Sequence, residues 1–600
     1  MDELIKIEIT YDDKPSAPIW SYPGQNLWEA LAAHGLITAG PCGGKRICGK
    51  CKLKIEGPLN PPDEAERYLL LPEEIKAGMR LACRIPATQG LKVFLEGQPF
   101  TAAPVPRLMS ETAAPPMVMH KKIYLPGQDR HNPVSIQERL QKSLPNLHLN
   151  LSIADLNELH SLDRTDRPVL ELNALLTEDR QLIYAGRSRQ DLYGVALDVG
   201  TTSLVGSLLD LETGQTVATT TMPNMQRVYG DNIISRLDYC LSHDDGLQTL
   251  HQVIVNNANT LIASLVRQCK SLPDQVYRLV VVGNPVMTHF VLGLNPAGLA
   301  AAPFSGIITD AYSCRAGAVG LAAHREALLV IPPQARGFIG SDALAGLLTL
   351  PCPPPLPNLF IDIGTNSEVI LAGQKGMWAA SAAAGPAFEG AGIRCGMRAV
   401  HGAIDHFQWN DGRLDYHVLG NGEPRGMCGS ALVDLLAWLL NNDMVAANGS
   451  FMEGRPEIRA GSQGRELVIV PSEKSYQGVP LVLSQEDVRS LQLAKGAVRA
   501  AIEILMRESG TKVEALKAVF LAGAFGNYLN PEHAIKAGIL PAVNPDLIHN
   551  LGNAAGRGAI CYLINPQARQ QMGQMKQNLT CVELADHPDF QLLFLRHIDF

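Results

Sequence analysis

Apolar and polar positions alternate through residues 4–10 (Leu-Ile-Lys-Ile-Glu-Ile-Thr), the pattern of a strand with one face on a core. Residues 26–35 change period: Asn26 is a good N-cap, Leu27, Trp28 and Leu31 supply an apolar stripe, and Gly35 is a C-cap, so a helix is predicted. Residues 52–56 and 91–95 again read as strands. From 99 to 119 the chain is rich in Pro and Ala and has no period, as linkers do. Residues 121–125, 169–172 and 180–184 then read as strands and 135–144 as a helix, a small α+β unit. At 193–210 an apolar strand runs through a tight Gly-Thr-Thr turn into a second apolar strand, and the design returns at 358–371 after a proline-rich stretch at 351–357. The repeat predicts two related α/β lobes, each opening on a β-hairpin. The expected organisation is therefore a first domain at 1–97, a linker at 98–119, a middle domain at 120–188, and lobes at 189–350 and 351–600.

Bulk properties narrow the class. A chain of 600 residues is too long for one core. Hydrophobic residues make up 46% and charged residues 18%, and the net charge of −8 argues against nucleic acid as a partner. The acidic N-terminus lacks a signal-peptide apolar region, and no apolar run reaches membrane-spanning length. The expectation is a cytoplasmic protein without membrane contact.

Of the twelve cysteines, Cys42, Cys48 and Cys51 share one glycine-rich loop, and Cys83 follows in Leu-Ala-Cys-Arg. These are the ligand types and the arrangement of a [2Fe–2S] ferredoxin. Gly43, Gly44 and Gly49 would let backbone N–H groups approach the sulfurs and offset their negative charge. The C-x₅-C-x₂-C spacing is one residue longer than the plant type and resembles vertebrate-type and bacterial [2Fe–2S] ferredoxins. The competing zinc reading is disfavoured, because zinc sites prefer two C-x₂₋₄-C pairs and Cys83 has no such neighbour. The remaining eight cysteines read as reduced, packed thiols.

The repeated turns, Asp198-Val-Gly200-Thr201-Thr202 and Asp362-Ile-Gly364-Thr365-Asn366, suit phosphate: glycine permits the sharp bend, and backbone N–H groups and hydroxyls point at phosphate oxygens. Asp198 and Asp362 would hold Mg²⁺ or orient water. No Walker sequence is present. A third glycine turn, Gly523-Ala-Phe-Gly526-Asn527, follows the apolar run 518–522 and would allow close approach of a nucleoside. Glu389 either faces the terminal phosphate or caps a helix, and Gly385 opens its segment. Glu368 in the plainer reading faces solvent from its strand. Asn284 is either a turn residue or faces the nucleotide. His289 and His401 read as structural, Cys428 as a small packed residue at a helix start, and Trp20, Trp28 and Trp378 as core or half-buried aromatics.

The two Asp-x-Gly-Thr turns and the Gly523 turn together resemble the acetate kinase, sugar kinase, Hsc70 and actin superfamily over about residues 193–565. With the cysteine domain ahead of them, and with the strings at 224–231, 283–287, 381–390 and 426–430, the chain resembles the reductive activators of corrinoid proteins nearly end to end. The fold class implied is multidomain α/β and α+β: a β-grasp [2Fe–2S] ferredoxin, a small α+β middle domain, and a two-lobed, duplicated ribonuclease H-like ATPase of the actin/Hsc70/sugar-kinase type. The resemblance further implies ATP-dependent reduction of an inactive Co(II) corrinoid to Co(I) by one electron from the cluster. It implies ATP and Mg²⁺ as cofactors, a corrinoid protein of a methyltransferase or O-demethylase system as partner, an upstream low-potential donor, and a homodimer. Its main rival is a small-molecule kinase with a redox-sensing ferredoxin domain. An activator of a radical dehydratase would lack this N-terminal domain, and a chaperone-like ATPase would need a peptide-binding domain after the nucleotide module.

Overall fold

The computed structural model describes residues 5–11, 14–15, 18–21, 23–33, 51–95, 118–127, 134–145, 147–149, 151, 153–163, 169–177, 181–187, 191–410, 413–461, 464–523 and 529–600. Cys42, Cys48, Gly526, Asn527 and most of the expected linker lie outside these residues.

The N-terminal strands form one sheet in the order Lys14–Pro15, Ile5–Tyr11, Lys92–Leu95, Lys52–Glu56, Met79–Leu81, with Ile19–Ser21 added against Ile5–Tyr11. The first strand runs parallel to Lys92–Leu95, and the Leu27–Ala33 helix packs Leu27, Trp28 and Leu31 into the core under them. This is the β-grasp arrangement. Trp20 departs from expectation: its three-residue strand alternates in and out, and Trp20 falls on the outer face at 53% exposure.

The middle unit pairs Val118–Pro126 with Val169–Thr177 along nine residues, then Gln181–Gly186 and His148–Leu149. It contains a helix the periodicity reading did not include, Ile153–Asp163. Its apolar residues recur every third position, but Ile153 and Leu156 are exposed and only Leu159 is fully buried. Every-third spacing drifts around a helix of 3.6 residues per turn and gives a weak amphipathic signal.

The two lobes repeat one topology. In the first, Tyr193–Val199 is antiparallel to Ser203–Asp210 and parallel to Val276–Gly283. In the second, Asn358–Asp362 is antiparallel to Ser367–Gly373 and parallel to Ala518–Ala522. Asp198 stands opposite Val282, and Asp362 opposite Ala522, so the two aspartates hold equivalent positions at the carboxyl ends of equivalent central strands. Between the lobes the helices Ser341–Leu347 and Ala554–Ile564 share a core with both sheets. The second lobe also carries two three-stranded sheets, at 403–427 and 458–484.

Close approach of the two central helices requires glycine. A Cβ at Gly558 would strike the carbonyl of Ala345, and one at Gly346 would lie 2.6 Å from Phe360 Cζ. Both groups belong to packed interior, which does not yield cheaply. Gly558→Ala is expected to destabilise the protein by about 1–3 kcal/mol, the cost of overpacking, read as a lower denaturant midpoint with an unchanged slope. An unchanged midpoint would show that the helices can part freely.

Candidate functional site

Two regions bring the predicted residues together. In the N-terminal sheet, Cys51 immediately precedes a strand and Cys83 sits in a 3₁₀ turn at Ala82–Arg84. Both thiols are buried, and the Cys83 backbone N–H donates to Cys51 Sγ at 3.4 Å. The turn is fixed from several sides. Ala82 N–H donates to the Cys51 carbonyl at 2.8 Å, and Asn26 Nδ2 donates to the Cys83 carbonyl at 2.7 Å. Glu66 holds Arg80 through two bonds and accepts the Leu81 N–H at 3.0 Å. Asn26 also accepts the Trp28 N–H, so one residue caps the helix and anchors the cysteine turn.

The second region is the cleft between the lobes. Gly200 N–H donates to the Ser203 carbonyl at 3.0 Å, closing the first turn, and a Cβ there would lie 2.9 Å from that oxygen. The hydroxyls of Thr202 and Thr365 are 3.5 Å apart, so the two repeated turns face each other. Thr365 Oγ1 donates to Glu389 Oε1 at 2.9 Å, and the Gly385 N–H donates to the Thr365 carbonyl at 2.9 Å, with Gly385 at φ +74°. Glu389 ends a short 3₁₀ turn, Pro386–Glu389, and therefore does not cap a following helix. Asn366 Nδ2 is buried with no hydrogen-bond partner. Gly523, at φ +93°, brings the third motif so close that a Cβ would meet Asp362 Oδ1 at 2.8 Å.

The cleft concentrates negative charge. Asp198, Asp342, Asp362 and Glu368 act on one another electrostatically. Desolvation first, then Asp342 and Asp362, push the Asp198 carboxyl well above its usual range, against a hydrogen bond from Asn553. Desolvation, Asp342 and Glu389 push Asp362 up to about 7. Desolvation likewise raises Asp342. Glu368 is buried rather than solvent-facing, bonded by Ser381, and raised by desolvation and by both aspartates.

Asp342 and Asn553 are additions that the repeat motifs did not point to. Each opens one of the two central helices: Asp342 accepts the Ala343 N–H, and Asn553 accepts the Gly556 N–H at 2.7 Å. The available signal was Gly-Ser-Asp and Asn at helix starts, which is too common to single them out. Asn224 is another. It donates to the Gly200 carbonyl at 2.8 Å, and its N–H donates to the Thr202 carbonyl at 3.0 Å. Arg398, from the second lobe, donates to that same Thr202 carbonyl at 3.0 Å. Asn284 caps its helix through Met287 N–H and also donates to Thr201 Oγ1 at 3.2 Å. His289 is structural, bonded between Pro285 and Ile307, and Cys428 sits buried at a helix N-cap.

Known proteins are similar to this chain over nearly its whole length. Residues 193–351 match the family model described as the RACo middle region, and residues 357–600 match the C-terminal domain of RACo, the ASKHA domain. The chain belongs to this family. It is 29% identical over 589 residues to the corrinoid activation enzyme RamQ of Eubacterium limosum, covering 95% of each chain. It is 29% identical over 397 residues to the [Co(II) methylated amine-specific corrinoid protein] reductase of Methanosarcina barkeri, covering 61% of this chain and 68% of that one. A solved structure of a reductive activator for corrinoid, iron–sulfur protein superposes with a TM-score of 0.74 at 27% identity, over 99% of this chain and 98% of the other.

The raised Asp362 carboxyl has a consequence for stability. An unfolded aspartate ionises near pH 4, whereas Asp362 in the fold holds its proton up to about pH 7. Between those values the folded state binds more protons, so this group's contribution makes stability fall as pH rises. Without nucleotide or divalent cation, Asp362→Asn is expected to raise the melting temperature at pH 7.5 and to flatten its decline between pH 5 and 7.5. The ceiling is on the order of 4 kcal/mol. Parallel melting profiles for the two proteins would contradict the assignment.

Proposed function

We propose that this RACo-family protein reductively activates a corrinoid protein, using ATP to drive one-electron reduction of inactive Co(II) to Co(I). The carrying observation is that one chain, alike end to end to a reductive activator, joins the buried Cys51–Cys83 pair to a cleft of facing turns and buried carboxyls that act on one another.

Asp198, Asp342 and Asp362 would hold Mg²⁺: a hard divalent cation takes oxygen ligands, and it would stabilise the ionised form that burial, and at Asp198 and Asp362 also neighbouring carboxylates, disfavours. Gly200 and Gly364 would bend the turns that bring N–H and hydroxyl donors of Thr201, Thr202, Thr365 and Asn366 to phosphate oxygens, and the orphaned Asn366 Nδ2 fits an incoming acceptor. Glu389, held by Thr365, orients the attacking water. Gly523 leaves room for the nucleoside, with Gly526 as its continuation. Cys42, Cys48, Cys51 and Cys83 hold a [2Fe–2S] cluster; the Cys83 N–H already bonded to Cys51 Sγ is the type of donor such a sulfur needs. When bound, that group supplies a one-electron couple near about −400 mV for plant-type centres. Each further ~100 mV uphill costs about 2.3 kcal/mol, within reach of nucleotide hydrolysis coupled to lobe closure. The donor is a low-potential electron carrier, the protein works in the cytoplasm, and it functions as a homodimer. No described helix is long and apolar enough to cross a membrane.

The test is anaerobic. The reconstituted protein is mixed with a low-potential reductant and a corrinoid protein, and the Co(II) paramagnetic signal is followed with and without ATP. Loss of the signal only with ATP is expected. ATP hydrolysis indifferent to every corrinoid protein, but stimulated by a small hydroxylated substrate, would favour a kinase instead. Asp198→Ala is expected to lower ATP hydrolysis on the order of 10²-fold or more while leaving the visible spectrum intact. Cys83→Ser should do the reverse, removing electron transfer and sparing ATP binding.

A further inference from the structure

On the three-stranded sheet at 403–427 of the second lobe, three potential ligands converge. The strand Ala403–Asn410 pairs antiparallel with Arg413–Val418, and its register slips between Ile404 and His406. Asp405 is the extra residue of that bulge. In a regular strand Asp405 and His406 would point to opposite faces; the bulge re-aims them, and both meet His417 of the neighbouring strand. Asp405 Oδ1 lies 2.7 Å from His417 Nδ1 and 3.2 Å from His406 Nδ1, with the two rings stacked at 5.1 Å.

We propose that Asp405, His406 and His417 form a binding site for a divalent transition-metal ion, with Zn²⁺ the best fit. One donor atom from each residue lies within 4.8 Å of the others. Two imidazoles and one carboxylate suit zinc and its neighbours and not Mg²⁺. Tetrahedral zinc with bonds of about 2.0–2.1 Å needs its donor atoms roughly 3.3 Å apart. The 3.2 Å pair already meets this, and the 2.7 Å pair must open by about half an ångström. A cation there takes the Nδ1 lone pair of each neutral ring, and the ring proton then sits on Nε2.

The carboxylate is the rigid member. Its side chain is 13% exposed, against 40% and 48% for the two histidines. The Asp405 carbonyl accepts from Ser430 Oγ at 2.6 Å, and the next residue but one, Phe407, donates its N–H to Asp434. The imidazoles can therefore adjust while the oxygen stays in place, and the open side leaves a position for water.

The holoprotein is dialysed against Zn²⁺ with Mg²⁺ in excess, so that the cleft carboxylates are occupied, and zinc and iron per chain are measured together by mass spectrometry. Wild-type protein should retain one zinc more than His417→Ala or Asp405→Asn, whose affinity should be at least ~10-fold weaker, a loss that even outer-shell partners of a metal cause. Iron content and ATP hydrolysis should not change. X-ray absorption at the zinc edge should show two imidazoles. Should Asp405→Asn not fold, His406→Ala, on a partly exposed ring, supplies the same comparison. Equal zinc in wild type and variants, or an edge spectrum without imidazole scattering, overturns the proposal.

Discussion

Four carboxyl groups crowded between two lobes set the terms for the rest of this structure. Burial raises Asp198, Asp342, Asp362 and Glu368, and neighbouring carboxylates add to it at Asp198, Asp362 and Glu368. The fold holds them together by packing. Two equivalent strands end there, and two helices cross behind them with glycine at the contact. Proton retention relieves part of the repulsion without nucleotide, and a divalent cation with phosphate would relieve it more fully.

The cleft is physically continuous with the N-terminal domain. Residues 224–228 hold the first turn through Asn224, and Val228 at their end packs on the N-terminal core. On the other lobe, Arg394 and Cys395 act on Lys52, the residue after Cys51. Burial works against the Lys52 charge, but its ion pair with Glu74 outweighs this and raises its pKa. A shift of either lobe therefore bears on the segment that carries the buried cysteine pair.

Much of this was legible beforehand where the signal is local. The hairpin turns at 198–202 and 362–366 were readable because a sharp bend between two apolar strands favours glycine, and the duplication repeated the pattern. Glu368 was misjudged for a related reason: strand alternation tells which face a residue is on, not what covers that face. Here Ser381 stands opposite Glu368 on the neighbouring strand and Asp342 and Asp362 act on it, so a residue expected in solvent lies in the charged cluster. The Ile153–Asp163 helix escaped notice because its apolar residues recur every third position, a spacing that drifts around a helix of 3.6 residues per turn.

The sequence by itself determined the cysteine arrangement, the two Asp-Gly-Thr turns, the lobe duplication and the kinship that follows from them, since each depends on residues adjacent in the chain. Only the tertiary structure decided that Asp342 and Asn553 join the aspartates, that Arg398 reaches across to Thr202, and that a bulge turns Asp405 toward His406 and His417. Those meetings join segments far apart in the chain or depend on a register slip between strands. Helix crossing and strand register set them, and neither leaves a local pattern.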